Sequence, residues 1–221
     1  MPPRETVLLF HGLGRTALSM RRLAGALRRA GYHAVNVDYP SRRGSVERLA
    51  EEVVGTRVEA ALGEGTERLH FVTHSLGGIL VRCWAARHAL PEGARAVMIA
   101  PPHGGSEAAD LFRRVAPVGW WCGPALEDLV TGPEGVCAGL GPVALETGVV
   151  AGDRSYFPLL SRLYEGAGDG LVAVSRARVA GMADFVVVPH GHTFIMRAPE
   201  TVRQTLHFLR YGRFDHSVPR E

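Results

Sequence analysis

The sequence contains no lysine, because all 25 of its basic side chains are arginine. Enzyme chemistry that needs a lysine amine is therefore excluded, namely Schiff bases, pyridoxal phosphate anchoring, a Ser–Lys dyad and the Walker A motif. Net charge is also low, at +3 with histidine neutral. A charge this small gives no indication of a nucleic-acid partner.

Cysteine is scarce, with only Cys83, Cys122 and Cys137 in the chain. The odd number and the lack of a C-x-x-C pair give no support to a disulfide framework or a zinc site. Cys83 falls on an apolar helical face. Cys122 and Cys137 share one loop-like region, so a pairing between them stays open.

Long apolar runs are missing as well. No stretch of about 18 apolar residues is present, so we expect no transmembrane segment. The N-terminus, MPPRETVLLFHG, lacks the apolar stretch of a secretory signal peptide, and we expect a cytoplasmic protein. The length of 221 residues and the apolar fraction of 46% suit a single domain with a packed core over 1–221.

What the chain does contain is a regular alternation of short apolar runs and helical patterns. The apolar runs predict six strands, at 6–10, 34–39, 69–73, 96–100, 147–152 and 185–188. Helical spacing predicts helices at 16–30, 45–63, 76–90 and 198–209, and shorter ones at 107–115 and 125–130. This βαβ repetition predicts an α/β fold, with a mostly parallel sheet that has helices on both faces and binds ligands at the carboxyl ends of its strands.

Ser75 lies at a bend between a predicted strand and a predicted helix, in the stretch LHFVTHSLGGI. That is the layout of a nucleophile elbow, in which a serine hydroxyl is exposed on a tight turn. Gly77 and Gly78 let the helix start close to the strand. Thr73 stands where the G-x-S-x-G pattern has its first glycine, and an isolated S-x-G is also typical of a helix-capping serine.

A catalytic serine needs a base, and the base needs a carboxylate that orients it. Two histidines, His190 and His192, follow the last predicted strand and are candidates for the base. Asp169 lies in the loop GDGLV and Asp153 directly follows the fifth strand, so both are candidates for the acid. Asp184 begins the sixth strand, at the opposite edge of the sheet. The H-x-H pair is a weaker candidate for a metal site.

Together these motifs resemble the α/β-hydrolase superfamily, and its small bacterial lipases and esterases in particular. The resemblance covers 6–209 and is strongest at 7–14, 69–79, 169–172 and 190–196. It implies an α/β-hydrolase fold of about six mostly parallel strands with a minimal cap. The Gly/Pro-rich stretch 103–146 is then a cap-like or lid-like insertion, although it also fits a solvent-side excursion.

The resemblance also implies roles for individual residues. Ser75 corresponds to the nucleophile, His192 to the general base and acid, and Asp169 to the orienting acid. The backbone N–H groups of Leu76 and Leu13 correspond to the oxyanion donors. Four further residues are candidates for the substrate pocket, namely His11, His103, Trp120 and Trp121. His11 is also expected to orient its own loop.

The expected activity is hydrolysis of a carboxylic ester with an apolar acyl group, through an acyl-enzyme on Ser75. This chemistry requires neither a metal nor a cofactor, and the expected partner is a small-molecule or lipid ester. A thioesterase or an acyltransferase would use the same triad, and a non-catalytic binding module is a further alternative. Neither the acyl chain length nor the oligomeric state follows from the sequence.

Overall fold

The six predicted strands are all present and form one parallel sheet. A computed structural model of the protein describes residues 4–157 and 159–217. Within these ranges the strand order is β2-β1-β3-β4-β5-β6. The strands are β1 (Glu5–Phe10), β2 (His33–Val37), β3 (Arg68–His74), β4 (Arg95–Ile99), β5 (Glu146–Gly152) and β6 (Asp184–Val188). The prediction of a parallel sheet is confirmed.

Helices connect the strands. They are α1 (Arg21–Arg29), α2 (Val46–Leu49), α3 (Thr56–Gly63), α4 (Leu76–Ala85), α5 (Glu107–Arg114), α6 (Ala116–Cys122), α7 (Ala125–Asp128), α8 (Val136–Gly139) and α9 (Pro199–Tyr211). Short 3₁₀ helices lie at Ala17–Met20, Leu160–Arg162 and Ile195–Arg197. The helix predicted over 45–63 is interrupted by a π-helical segment, Ala50–Gly55. No helix in the described ranges is long and apolar enough to cross a bilayer.

Alternating side chains of β1 pack into two separate cores. Leu8 and Phe10 of β1 pack on one face of the sheet, in a core that includes side chains of α2, α3 and α4. Val7 and Leu9 pack on the other face, with side chains of α1 and α9. Each such buried side chain contributes roughly 1.5–3 kcal/mol through the hydrophobic effect. Because successive side chains of β1 point to opposite faces of the sheet, helices pack on both faces, as predicted.

The stretch 103–146 packs on the first core and contains α5 to α8. Its anchors are the buried side chains of Ala109, Leu126, Leu129 and Val130. Helices α5 and α7 lie where the sequence predicts helices, whereas α6 and α8 were not predicted. Helix α6 begins with a proline in its first turn, a position where the missing N–H has no structural consequence.

The strand order brings the loop after β1 beside the turn after β3. The two strands are paired in register, so that Phe10 lies opposite Thr73. Ser75 follows β3 by one residue, and its backbone N–H donates to the carbonyl oxygen of Ile99 in β4, at 2.9 Å. The serine is therefore held at the carboxyl edge of the sheet, between the ends of three strands.

Candidate active site

Ser75 occupies a strained turn at the start of α4. Its backbone dihedral angles are φ 52° and ψ −122°, a conformation that side-chain-bearing residues rarely adopt and that costs roughly 1–3 kcal/mol. A Cβ atom on Gly77 would lie 2.6 Å from the carbonyl oxygen of Phe10 and 2.9 Å from that of His11. Glycine is therefore required at 77 for the helix to start this close to β1.

Thr73, which departs from the G-x-S-x-G pattern, is accommodated by a glycine on α4. The threonine is fully buried beneath the elbow. A Cβ atom on Gly78 would lie only 3.1 Å from the Thr73 hydroxyl oxygen. Glycine at 78 thus makes room for the larger residue at 73.

Three buried side chains form a continuous hydrogen-bonded relay. The Oγ atom of Ser75 lies 3.0 Å from Nε2 of His192. On the opposite side of the ring, Nδ1 of His192 lies 2.8 Å from Oδ2 of Asp169. Because an ionised carboxylate only accepts, Nδ1 carries the proton in the neutral ring and Nε2 accepts from the serine hydroxyl. This arrangement can remove the hydroxyl proton during nucleophilic attack.

The backbone of its own loop holds the Asp169 carboxylate. Its Oδ1 atom accepts N–H groups from Leu171 and Val172, at 3.0 and 2.8 Å. The backbone N–H of His192 also donates to the carbonyl oxygen of Asp169, at 3.0 Å. Asp153, the other candidate acid, has its Oδ1 atom 3.9 Å from Nε of Arg154. The structure thus brings Asp169 to the histidine ring.

A second histidine, His74, is hydrogen-bonded to the backbone of His192. Its Nε2 atom donates to the carbonyl oxygen of His192 at 3.0 Å, and the two rings are 4.9 Å apart. Burial, with the nearby His192, lowers the pKa of His74 well below its usual value. The ring is therefore neutral and adds no charge beside an imidazolium at His192. The sequence analysis missed this residue, although it directly precedes the serine.

The loop after β1 contacts the elbow directly. A Cβ atom on Gly12 would lie 2.8 Å from Nδ1 of His74 and 3.2 Å from Cβ of Ser75. Leu13 follows and lines the cavity at the serine. Leu76 is the first residue of α4, so its N–H has no acceptor within the helix. Both predicted oxyanion donors therefore lie in segments that border Ser75.

His11 holds this loop and does not line the cavity. Its ring is fully buried and stacks on Tyr39, with the ring centres 4.1 Å apart. Nδ1 donates to the carbonyl oxygen of Gly12 at 2.9 Å, and the Tyr39 hydroxyl donates to the His11 carbonyl oxygen at 2.6 Å. Burial lowers the pKa of His11. These contacts hold the His11 ring against the loop after β1.

A cavity of about 200 Å³ opens at the serine. Ser75, His74 and His192 lie on its wall together with Arg15. The apolar part of the wall is formed by Leu13, Pro102, Ala108, Ala109, Phe112, Trp121, Cys122, Leu126, Leu129, Leu171 and Val172. Most of these residues belong to α5, α6 and α7. An apolar group can therefore lie next to the serine hydroxyl.

Of the four predicted pocket residues, Trp121 alone reaches this cavity. Its indole ring packs under the Arg42 guanidinium, 4.5 Å from the ring centre. Trp120 is 88% exposed and lies away from the cavity wall. The His103 ring is buried against Arg82, with Nδ1 3.4 Å from Nη1. Burial and that guanidinium lower the pKa of His103 to about 3. His11, His103 and Trp120, which the sequence made candidates for the pocket, do not line this cavity.

The sequence analysis missed most of the pocket wall, including Phe112, Leu126 and Leu129. Their only signal was helical spacing in 107–115 and 125–130, which marks apolar residues but does not say which of them face a cavity.

All three cysteine thiols are free. Cys122 lines the cavity, and burial raises the pKa of Cys137 to about 11.

His190 lies beside the site without joining the relay. Its Nε2 atom faces Glu200 at 4.0 Å, while the ring of His192 faces the serine and Asp169. In the described part of the chain, no three His, Cys, Asp or Glu side chains come together as a possible metal site. The two histidines of the H-x-H pair, His190 and His192, therefore have different neighbours.

Comparison with known proteins identifies the fold. The sequence matches no family profile and no curated protein. A lipase of Bacillus licheniformis in its mature form matches the structure with a TM-score of 0.77 at 19% identity, over 95% of this chain and 93% of that chain. The phospholipase PlaB of Legionella pneumophila matches with a TM-score of 0.73 at 19% identity, over 95% of this chain and 60% of that chain.

A type II thioesterase, YbtT from the yersiniabactin biosynthetic pathway, is also similar. Its TM-score is 0.64 at 16% identity, over 97% of this chain and 96% of that chain. These likenesses agree with the six-stranded parallel sheet and its surrounding helices. The chain has the α/β-hydrolase fold.

Proposed function

We propose that this protein is a serine hydrolase that cleaves carboxylic esters with an apolar acyl group, through an acyl-enzyme on Ser75. The observation that carries the proposal is the relay from Ser75 to His192 to Asp169, at 3.0 and 2.8 Å, on the wall of an apolar cavity. Structural likeness to a lipase, a phospholipase and a thioesterase supports the same class of reaction.

In the first half of the reaction, the Ser75 oxygen attacks the carbonyl carbon of the ester. His192 Nε2 takes the hydroxyl proton, and the Asp169 carboxylate stabilises the resulting imidazolium. The carbonyl oxygen becomes an oxyanion, which the N–H groups of Leu13 and Leu76 stabilise. Loss of one such donor typically lowers turnover by ~10²–10³. His192 then protonates the leaving oxygen, and the acyl group remains on the serine.

In the second half, a water molecule takes the place of the leaving alcohol. His192 removes a proton from the water as its oxygen attacks the acyl carbon. The tetrahedral intermediate collapses, the serine oxygen recovers its proton from His192, and the carboxylic acid leaves. His192 passes on each proton that it accepts within the same half-reaction, so the enzyme ends in its starting state.

The cavity favours short or medium acyl chains. Its volume of about 200 Å³ lies below the roughly 300–1,000 Å³ of pockets for drug-sized ligands. Helices α5 to α7 supply most of its apolar wall, so we propose that the stretch 103–146 acts as the cap of the site. An acyl chain buried there gains about 0.8 kcal/mol per methylene.

The test is hydrolysis of p-nitrophenyl esters from acetate to palmitate by the wild type, Ser75→Ala and the control Ser175→Ala. Ser175 is exposed and lies outside the cavity wall. We expect Ser75→Ala to remove the activity and Ser175→Ala to retain it. Activity that persists in folded Ser75→Ala would contradict the proposal.

Two added measurements separate the alternatives. Product analysis with an added alcohol distinguishes a hydrolase from an acyltransferase, since water and alcohol compete for the same acyl-enzyme. A thioester series tests thioesterase activity on the same serine. A folded wild type that hydrolyses no ester and does not react with a serine-directed phosphonate would instead indicate a binding module.

A further inference from the structure

Arg15 lies on the wall of the cavity, in the loop that follows β1. It shares that wall with Ser75 and His192, and its side chain is half-buried. Its Nη2 atom donates to the carbonyl oxygen of Thr193 across a long 3.5 Å. Within the described ranges, no carboxylate oxygen lies within 4 Å of this guanidinium. Among the described residues, this long hydrogen bond is the only one that the Arg15 side chain makes, and its acceptor is uncharged.

The surroundings of Arg15 are unfavourable for a cation. Burial lowers its pKa, and the neighbouring Arg197 lowers it further because the two charges repel. Asp38 accepts the N–H of Ala17, two residues after Arg15, at 2.7 Å, and Glu200, three residues after Arg197, faces a histidine. A partly buried charge beside a like charge is destabilising unless an opposite charge joins it. An anionic group in the cavity would supply that charge.

The position of Arg15 indicates which half of a substrate would carry the anion. The guanidinium contacts Thr193, the residue directly after His192. In the proposed mechanism, His192 hands its proton to the leaving group, so the leaving group lies on this side of the site. The acyl wall is formed mainly by α5 to α7 instead. Arg15 therefore belongs to the leaving-group side.

We propose that Arg15 binds a phosphate group on the leaving alcohol, so that the preferred substrates are acyl esters of a phosphorylated alcohol. This inference rests on the proposed function. Arginine suits the role because its planar fork of donors binds phosphate oxygens in pairs. Since Arg15 and Ser75 line one cavity of about 200 Å³, the phosphate must lie within a few bonds of the ester. An acylated glycerol phosphate has this geometry.

The test uses two substrates that differ only in the phosphate, 1-octanoylglycerol and 1-octanoylglycerol 3-phosphate, both below their aggregation limits. We expect the wild type to prefer the phosphorylated ester by about tenfold or more in kcat/KM, a typical effect of a charge-assisted contact. In Arg15→Gln the ratio of the two kcat/KM values should fall to near one. The control Arg22→Gln, at an exposed position of α1, should keep the wild-type ratio.

A wild-type ratio near one would overturn the inference, as would a preference that survives Arg15→Gln. A second pair of substrates, octanoyl-coenzyme A and its N-acetylcysteamine analogue, tests a phosphate that is many bonds away from the acyl group. The short reach of Arg15 predicts no Arg15-dependent preference within that pair. A preference there that depends on Arg15 would contradict the glycerol phosphate assignment.

Calorimetry on Ser75→Ala separates this inference from the proposed reaction, because binding is measured without turnover. The phosphorylated ester should bind about tenfold more tightly than the neutral one, and Ser75→Ala/Arg15→Gln should lose the difference. Such binding by a protein whose wild type hydrolyses neither ester would support the anion site and contradict the hydrolase. Hydrolysis of both esters by the wild type, with equal binding of both esters to Ser75→Ala, would support the hydrolase and contradict the anion site.

Discussion

The Nδ1 atom of His192 lies 2.8 Å from Oδ2 of Asp169, while the other oxygen of that carboxylate accepts two backbone N–H groups. Both carboxylate oxygens therefore have defined partners, and the residue is buried. A carboxylate held this way has a fixed position against the histidine ring. It also keeps the imidazole proton on Nδ1, so that Nε2 is free to accept from the serine.

Replacement of Asp169 by asparagine should abolish most of the activity without unfolding the protein. The amide would favour the wrong imidazole tautomer and would leave the imidazolium unpaired, so we expect kcat to fall by ~10³–10⁴. The matched control is Asp153→Asn, the other acid that follows β5. Ester hydrolysis and thermal denaturation should be measured on both. A large fall in kcat for Asp153→Asn, with Asp169→Asn nearly unaffected, would contradict the assignment.

Gly77→Ala should destabilise the protein, because the added Cβ would meet the Phe10 carbonyl oxygen at 2.6 Å. Strain of this kind typically costs about 1–3 kcal/mol, and about 1 kcal/mol corresponds to ~2–4 °C in Tm for a domain of this size. The control is Gly63→Ala at the exposed end of α3, where a Cβ would meet open space among the described residues. Calorimetry should show Gly63→Ala unchanged or more stable. Equal Tm values for the two variants would contradict the steric argument.

Acidification should destabilise the fold through His70. Burial, with Arg95 and Arg68 nearby, lowers the pKa of His70 from 6.5 to about 4. Between these two values the unfolded chain binds a proton that the folded protein excludes. The free energy of unfolding should thus fall as the pH drops from about 6.5 to 4, by up to about 1.4 kcal/mol per pH unit from this residue. Above pH 6.5 the contribution vanishes.

The check on His70 is denaturant unfolding as a function of pH for the wild type, His70→Gln and His33→Gln. Glutamine can still accept the backbone N–H of Arg95, which His70 Nδ1 accepts at 3.2 Å. His33 is exposed at the start of β2 and serves as the control. We expect a shallower slope between pH 6.5 and 4 in His70→Gln alone. Identical slopes in all three proteins would show that His70 does not carry this dependence.

Phe112→Ala should shift the preference toward longer acyl chains. The ring lies on the cavity wall in α5, and its loss enlarges the cavity next to the acyl group. Leu111→Ala removes the neighbouring exposed side chain of the same helix and is the control. The kcat/KM profile across the p-nitrophenyl esters should move toward longer chains in Phe112→Ala alone. A profile unchanged in both variants would place the acyl group elsewhere.

Local patterns in the sequence were enough for the strands and for the elbow. The stretch TVLLF of β1 contains four consecutive apolar residues, a run that is typical of a strand buried on both faces within a parallel sheet. The S-L-G-G stretch after β3 predicts a tight turn, because glycine lacks the Cβ atom that at position 77 would collide with the backbone of Phe10 and His11. Both signals depend on neighbouring residues alone, so no tertiary information was needed.

Helix α6 was missed because its own sequence argues against it. The stretch APVGWWC contains a proline, a glycine and two tryptophans, all weak helix formers in isolation. The helix packs against α5 and turns Trp121 toward the cavity and Trp120 toward solvent. Tertiary packing overrides propensity here, and the two adjacent tryptophans lie on opposite sides of α6.

The sequence by itself determined the sheet, the order of its strands along the chain and the elbow that presents Ser75. It also placed the candidate acid and base, Asp169 and His192, in two loops that the structure brings together. Only the tertiary structure decided that Asp169 rather than Asp153 reaches His192, which side chains form the cavity wall, and that no carboxylate of the described residues pairs with Arg15. The reason is that these facts are distances between residues far apart in the chain, such as the 117 positions between Ser75 and His192. Sequence periodicity records which face a side chain occupies, whereas such distances follow from how whole loops pack.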